Sequence, residues 1–225
     1  LSEQLAQFAG AIIVKRLEFL AELERYAKEI HGQITQDKEQ LAFSYESSLK
    51  ESSQATENEI TEALKKGFAN LQQKEIFQGT TLLGPHRDDV VFKINGQNVQ
   101  VYGSQGQQRT TALSVKLAEI ELMKNKTGEY PILLLDDVLS ELDGNRQTHL
   151  LKTIQGRVQT FLTTPGLNDI TQQLIKEPKI FHIDDGQISE NSELAENHID
   201  WVSEDENKVV TFYPKNEKSK KGQST

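Results

Sequence analysis

Ile132-Leu133-Leu134-Leu135-Asp136-Asp137, entered through Pro131 and running on through Val138-Leu139 into Ser140-Glu141-Leu142-Asp143, is the stretch that decides the fold. Its apolar run reads as a buried strand, and proline is tolerated at a strand's first residue. Two carboxylates close it. Upstream stands Ser104-Gln105-Gly106-Gln107-Gln108-Arg109, a polar turn with one glycine that opens a helix. A helix N-terminus can hold a phosphate, and a strand-end carboxylate can hold the magnesium that accompanies it. Together they point to half of a nucleotide-dependent machine.

Working outward, the chain alternates. Helical spacing downstream of Ser104 carries Ala112, Leu113, Lys116, Leu117, Ile120 and Met123 on one face as far as about Lys124. A second helix is expected near Arg146 to Ile154, a buried strand at Gln159 to Thr163, and a last strand at Lys179 to Ile183. Strand, helix, strand, helix, strand predicts an α/β fold with a mostly parallel sheet. Before it, Val90 to Ile94 and Val99 to Tyr102 flank Asn95-Gly96, a strong hairpin signal. Residues 1 to about 31 form an amphipathic helix through Leu5, Phe8, Ile12, Ile13, Leu17, Leu20, Leu23, Ala27 and Ile30. Leu41, Phe43 and Tyr45 alternate weakly as a strand. Residues 55–75 return to helix with Ile60, Leu64, Phe68 and Leu71. The two long helices make a short arm, because sustained heptads are missing.

The expected division is a helical arm subdomain over 1–80, an α/β portion over 81–188, and a polar tail over 189–225. Disorder is expected for most of that tail, although Trp201 and Val209 to Tyr213 are apolar enough to dock.

The bulk composition narrows the function. Across 225 residues, 25 basic and 34 acidic side chains leave a formal charge of −9, so any DNA contact needs a local basic patch. Cysteine is absent, which excludes disulfides and thiolate metal sites and fits a reducing, cytoplasmic setting. No apolar run is long enough for a membrane span, and no signal-peptide pattern opens the chain.

Each chemical reading has a simpler rival. Asp136-Asp137 could be a solvated strand end, yet ligands collect where parallel strands stop. In the functional reading Asp136 holds magnesium, directly or through water, and Asp137 acts as general base on the attacking water. Ser104 could simply cap a helix. That leaves Gly106 and the run of amides unexplained, whereas a backbone approaching phosphate needs both.

These residues resemble the ABC-type ATPase heads of DNA-repair and chromosome-maintenance proteins. Ser104, Gln105, Gly106 and Gln107 look like the signature usually written LSGGQ. Ile132 to Asp136 looks like Walker B, and Ser140, Glu141, Leu142 and Asp143 like the D-loop. Within that group, GPHRDD at 84–89, YGSQGQQRTTALSVKLAE at 102–119 and PILLLDDVLSELDGNR at 131–146 resemble the RecF family of bacterial recombination mediators. The resemblance covers roughly residues 1 to 188. It implies the C-terminal part of an ABC-type ATPase head, with ATP and magnesium bound. It also implies a homodimer in which the signature acts in trans on the other copy's nucleotide.

DNA at single-strand gaps or junctions, RecR and RecO are the implied partners, with no membrane. Weak DNA-stimulated ATP turnover is the implied activity. Lys15, Arg16, Lys65 and Lys66 are the candidate DNA contacts on the arm, against a plain solvated charged face.

The chain departs from the family pattern in several places. The phosphate loop G-x-x-x-x-G-K-[ST] is missing, so the chain reads as the C-terminal portion of a longer protein and should bind ATP poorly alone. Gln105 stands for a signature glycine, and Asp137 for the usual glutamate. Thr163 or Thr164 occupies the region where transporters place a switch histidine. The alternatives are an SMC-type head and a non-hydrolysing DNA or protein scaffold. A transporter subunit fits less well.

Overall fold

The computed structural model describes residues 2–49, 56–140, 142–164, 179–184, 187–190 and 207–212. The backbone divides into two compact units, Leu1–Glu119 and Ile120–Thr225.

The first unit opens with α1 (Ser2–Thr35), which packs on α2 (Glu57–Gln78). Between them lies a core of Ala6, Ala9, Ile13, Ile60, Leu64, Phe68 and Leu83. The first half of α1 is turned relative to the expected stripe: Leu5, Phe8 and Ile12 are exposed, and Ala6, Ala9 and Gly10 face inward. Close approach explains the turn. A Cβ on Gly10 would lie 2.3 Å from the Thr61 hydroxyl oxygen, so small residues set the crossing and the larger ones are left outside. Farther along, Leu23, Ala27 and Ile30 are buried as expected. Helix α2 starts on a reciprocal box, Thr56 with Glu59, and stops at Gly79 in the left-handed region at φ 65°.

Strand β1 (Leu41–Glu46) pairs antiparallel with β2 (Asp89–Ile94), Leu41 opposite Ile94 and Glu46 opposite Asp89. Phe43 and Phe92 meet edge to face, with ring centroids 4.8 Å apart. The Asn95-Gly96 turn forms as expected, with φ of 50° and 82°. Its returning strand is a correction. Only Gln97–Asn98 (β3) pairs back, and Val99–Tyr102 is a short helix, α3. The Asn98 side chain accepts from the Gln100 and Val101 amides, so it caps a helix at the point where a strand was expected. Strands β1 and β2 pair within the first unit. The division falls at Glu119, inside α4 (Gln105–Thr127).

The second unit contains β4 (Leu133–Asp136), α5 (Gly144–Ile154), β5 (Thr160–Thr164), β6 (Lys179–Asp184), β7 (Gln187–Glu190) and β8 (Asn207–Phe212). Strands β4 and β5 are parallel and joined through α5, which gives the expected α/β unit. The sheet order is β4-β5-β8-β6-β7, and its other three pairings are antiparallel. The sheet is therefore mixed rather than mostly parallel. Two residues separate β6 from β7, and a link that short allows only an antiparallel hairpin.

Within the tail, the run expected to dock contributes β8, which lies between β5 and β6. Trp201, Tyr213 and the rest of the tail beyond Glu190 lie outside the described residues. Leu135, Leu150, Leu151, Ile154 and Leu162 are buried. Leu134 is 73% exposed, so β4 alternates instead of being buried throughout, as befits an edge strand. Among the described residues no helix is long and apolar enough to cross a membrane.

Candidate functional site

The first cluster is the start of α4. Ser104 stands at the cap position: its hydroxyl oxygen accepts from the Gln107 amide at 3.2 Å, and its own amide donates to Gln107 Oε1 at 3.0 Å. That is a reciprocal capping box of the Ser-x-x-Gln type. The bond to Gln107 uses a lone pair of the Ser104 oxygen and leaves the hydroxyl hydrogen able to donate to an anion. Gln105 and Gly106 form the first turn, where amides lack helical acceptors. Just before them, a Cβ on Gly103 would lie 2.4 Å from the Val99 carbonyl oxygen, so only glycine lets the chain leave α3 in so tight a turn. Sequence reasoning passed over Gly103 in favour of Gly106.

The cluster also draws on residues that spacing did not reveal. Gln107 Nε2 donates to Glu39 Oε1 at 3.1 Å, and Glu39 Oε2 lies 3.2 Å from His31 Nε2. His31 is wholly buried, with Nδ1 3.1 Å from the Ser114 hydroxyl. No local pattern could have flagged a contact between positions 68 residues apart.

In the second unit, the strand ends are cross-braced. The Thr163 hydroxyl donates to the Asp136 carboxylate and accepts from the Asp137 amide at 3.0 Å. Asp137 adopts φ 49°, a left-handed conformation that aspartate tolerates better than most side chains. Its carbonyl accepts from Ser140 Oγ at 2.9 Å. Gln147 donates to the carbonyls of Leu139 (2.8 Å) and Leu142 (3.1 Å) and so pins the loop from below. Asp143 caps α5 through the Arg146 amide at 3.0 Å and pairs with the Arg146 guanidinium. Glu141 lies outside the described residues.

Both carboxylates at the strand end are exposed. Among the described residues no three acidic or imidazole groups converge on a metal position. Magnesium still suits these oxygen donors, because it keeps several waters and takes one or two carboxylates together with phosphate oxygens.

Of the expected DNA contacts, Lys15 pairs with Glu18 and Lys65 with Glu62, each at 2.8 Å, while Lys66 is exposed. Arg16 is otherwise engaged. It donates to the Pro85 carbonyl at 2.7 Å and lies 5.9 Å from the centre of the Tyr45 ring. Tyr45 in turn donates to Asp88, which also accepts from the Ser48 amide at 2.6 Å. Arg16 and Asp88 thus fasten the 84–89 loop to α1 and β1.

Burial first, then the bond to Asp88, pushes the Tyr45 hydroxyl up to about 12. A raised folded value favours the protonated form, so this contribution to stability is present below the ordinary value of about 10. It should disappear as pH rises through 12. Chemical denaturation between pH 9 and 12 should therefore show a loss of stability that Tyr45→Phe lessens; identical slopes in both proteins would refute the assignment.

No protein-family model matches the chain. It is 68% identical over 195 residues to the "DNA replication and repair protein RecF" of Ligilactobacillus salivarius, covering 87% of this chain and 52% of that protein. It is 51% identical over 188 residues to the RecF of Bacillus subtilis, covering 84% and 51%. Among solved structures, the recombination mediator protein RecF with ATP, of the RecFOR pathway, superposes with a TM-score of 0.72 at 35% identity. That match covers 85% of this chain and 49% of the other. The chain spans about half the length of the curated relatives it matches. Over more than four-fifths of its own length the chain resembles RecF, and what it resembles is RecF's C-terminal part.

Proposed function

We propose that this chain carries the signature and acidic half of an ATP-gated DNA-binding protein of recombinational repair and replication-fork maintenance. The observation that carries this reading is the 68% identity, sustained over 195 residues, to a DNA replication and repair protein. ATP is the substrate. The Ser104 hydroxyl, the first-turn amides of Gln105 and Gly106, and Gln107 meet the γ-phosphate held by a second copy, at a helix end whose dipole favours anions. Asp136 holds the magnesium, which when bound neutralises phosphate charge. Asp137 accepts a proton from the attacking water, while Thr163 holds the Asp136 carboxylate and the Asp137 backbone at the strand end. Ser140, Glu141, Leu142 and Asp143 form the D-loop, given its shape by the Asp143 cap.

Two copies associate head to tail when ATP is present and clamp DNA at single-strand gaps or junctions. Lys15, Lys65 and Lys66 supply the charge on the arm, and Arg16 contributes less because it is spent on Pro85. RecR and RecO are the partners with which recombinase is loaded, in the cytoplasm.

The test is a chimera in which the upstream half of the Ligilactobacillus salivarius relative precedes this chain. Sedimentation should show a monomer without ATP and a dimer with it, and gapped DNA should raise turnover. Ser104→Arg should abolish the dimer and spare ATP binding by the monomer. An ATP-independent sedimentation profile, with DNA binding equally indifferent to ATP, would defeat the proposal.

A further inference from the structure

We infer that Glu39, backed by the buried His31, is a positioning residue that fixes the amide of Gln107; this rests on the reading of Ser104 to Gln107 as the phosphate-facing turn. Gln107 is held at both ends, its oxygen by the Ser104 amide and its nitrogen by Glu39 Oε1. A flipped amide would set donor against donor at Ser104 and acceptor against acceptor at Glu39. The carboxylate therefore decides which way the side chain lies.

Glu39 is itself aimed. The Ser114 hydroxyl lies 2.7 Å from the Thr110 carbonyl oxygen and 3.1 Å from His31 Nδ1, and His31 Nε2 lies 3.2 Å from Glu39 Oε2, so the ring is held at both nitrogens and the carboxylate is held by the ring. The Thr110 hydroxyl then donates to the Gly106 carbonyl at 2.7 Å. Hydrogen bonds thus leave the signature turn at Gln107, pass through Glu39, His31, Ser114 and Thr110, and return to it at Gly106. Two of these residues belong to α1 and the segment after it, so a displacement of the last turns of α1 is felt at the signature.

A histidine at full burial, where leucine would pack without polar debts, is costly unless every bond is kept. The arrangement makes sense as an aiming device.

The test uses the 225-residue chain labelled with nitrogen-15, with the Gln107 side-chain amide resonances identified by their loss in Gln107→Ala. Glu39→Ala should move these resonances and speed their exchange about tenfold, the scale of one lost charge-assisted bond. Glu39→Gln can still accept from Gln107 and donate to a ring nitrogen, and should leave them near the parent. Glu39→Asp draws the carboxylate back by one methylene and should act in the direction of Ala even if Ala unfolds the chain. Unmoved resonances in folded Glu39→Ala or Glu39→Asp would overturn the inference.

In the chimera, Glu39→Ala should raise the ATP concentration for half-maximal association about tenfold without altering monomer affinity for ATP, and Glu39→Gln should restore it. A tie that served stability alone would lower Tm and leave the ATP requirement unchanged. A parent chimera that never associates with ATP would instead defeat the proposed function, and the resonances would still decide the role of Glu39.

Discussion

Asp137→Asn is expected to lower ATP turnover in the chimera by about 10²-fold or more, the usual contribution of a positioned general base, while ATP-driven association survives. The substitution is clean because Asp137 is anchored by its backbone. Its amide is held by Thr163 and its carbonyl by Ser140, and neither bond involves the carboxylate. Asparagine also accepts the left-handed conformation at φ 49°, so the turn should persist. Asp136→Asn is less clean, since the Asp136 carboxylate accepts from the Thr163 hydroxyl and the brace would change with it. The measurement is steady-state turnover beside sedimentation with ATP. Undiminished turnover would remove Asp137 from the chemistry, and loss of association along with turnover would make its role structural.

The second large effect concerns the α1–α2 core. Leu64 is fully buried among Ala6, Ala9, Ile13, Ile60, Phe68 and Leu83. Truncation to alanine removes a side chain from a close-packed seam in which Gly10 already brings α1 hard against Thr61, so collapse into the gap is restricted. Leu64→Ala should therefore cost about 2–5 kcal/mol, a large share of the total stability of an ordinary domain. Hydrogen exchange at the amides of Ile13 and Ile60 should quicken at least thirtyfold or so, at tenfold per 1.4 kcal/mol. Phe77, 89% exposed at the end of α2, provides the contrast: Phe77→Ala should leave exchange almost unchanged. Equal effects from the two substitutions would mean that the seam is not the core.

The same seam shows what a sequence conceals. Periodicity announced both helices, because apolar residues recur at helical spacing whatever lies opposite. It could not choose between neighbouring faces of α1, where Phe8 outweighs Ala9 in hydrophobicity yet Ala9 permits contact. Asn95-Gly96 gave the turn without the strand after it, since Asn98 is as good a helix cap as it is a strand residue. The mixed sheet was illegible for another reason: Val209 to Phe212 could be read as a run able to dock, but its place between β5 and β6 is set by distant backbone.

The site divided along similar lines. Ser104 with Gln107 is a local motif, and so is a strand ending in Asp136-Asp137. Thr163 bracing Asp136 across 27 residues, and Glu39 reaching Gln107 across 68, exist only after folding. The RecF resemblance supplied the roles that spacing could not.

Helix α4 runs unbroken from Gln105 to Thr127, and the division between the two units falls within it. Most domain borders are exposed linkers, which proteases and cloning designs exploit. Here there is no such seam to cut. Severing the chain at Glu119 would strip up to four carbonyls on one side and four amides on the other of their helical partners. Leu117, Ala118, Ile120 and Leu122, which flank that point, are all buried. The border between the two units is a stretch of continuous helix, so a cut there costs backbone hydrogen bonds that a cut in a linker would not.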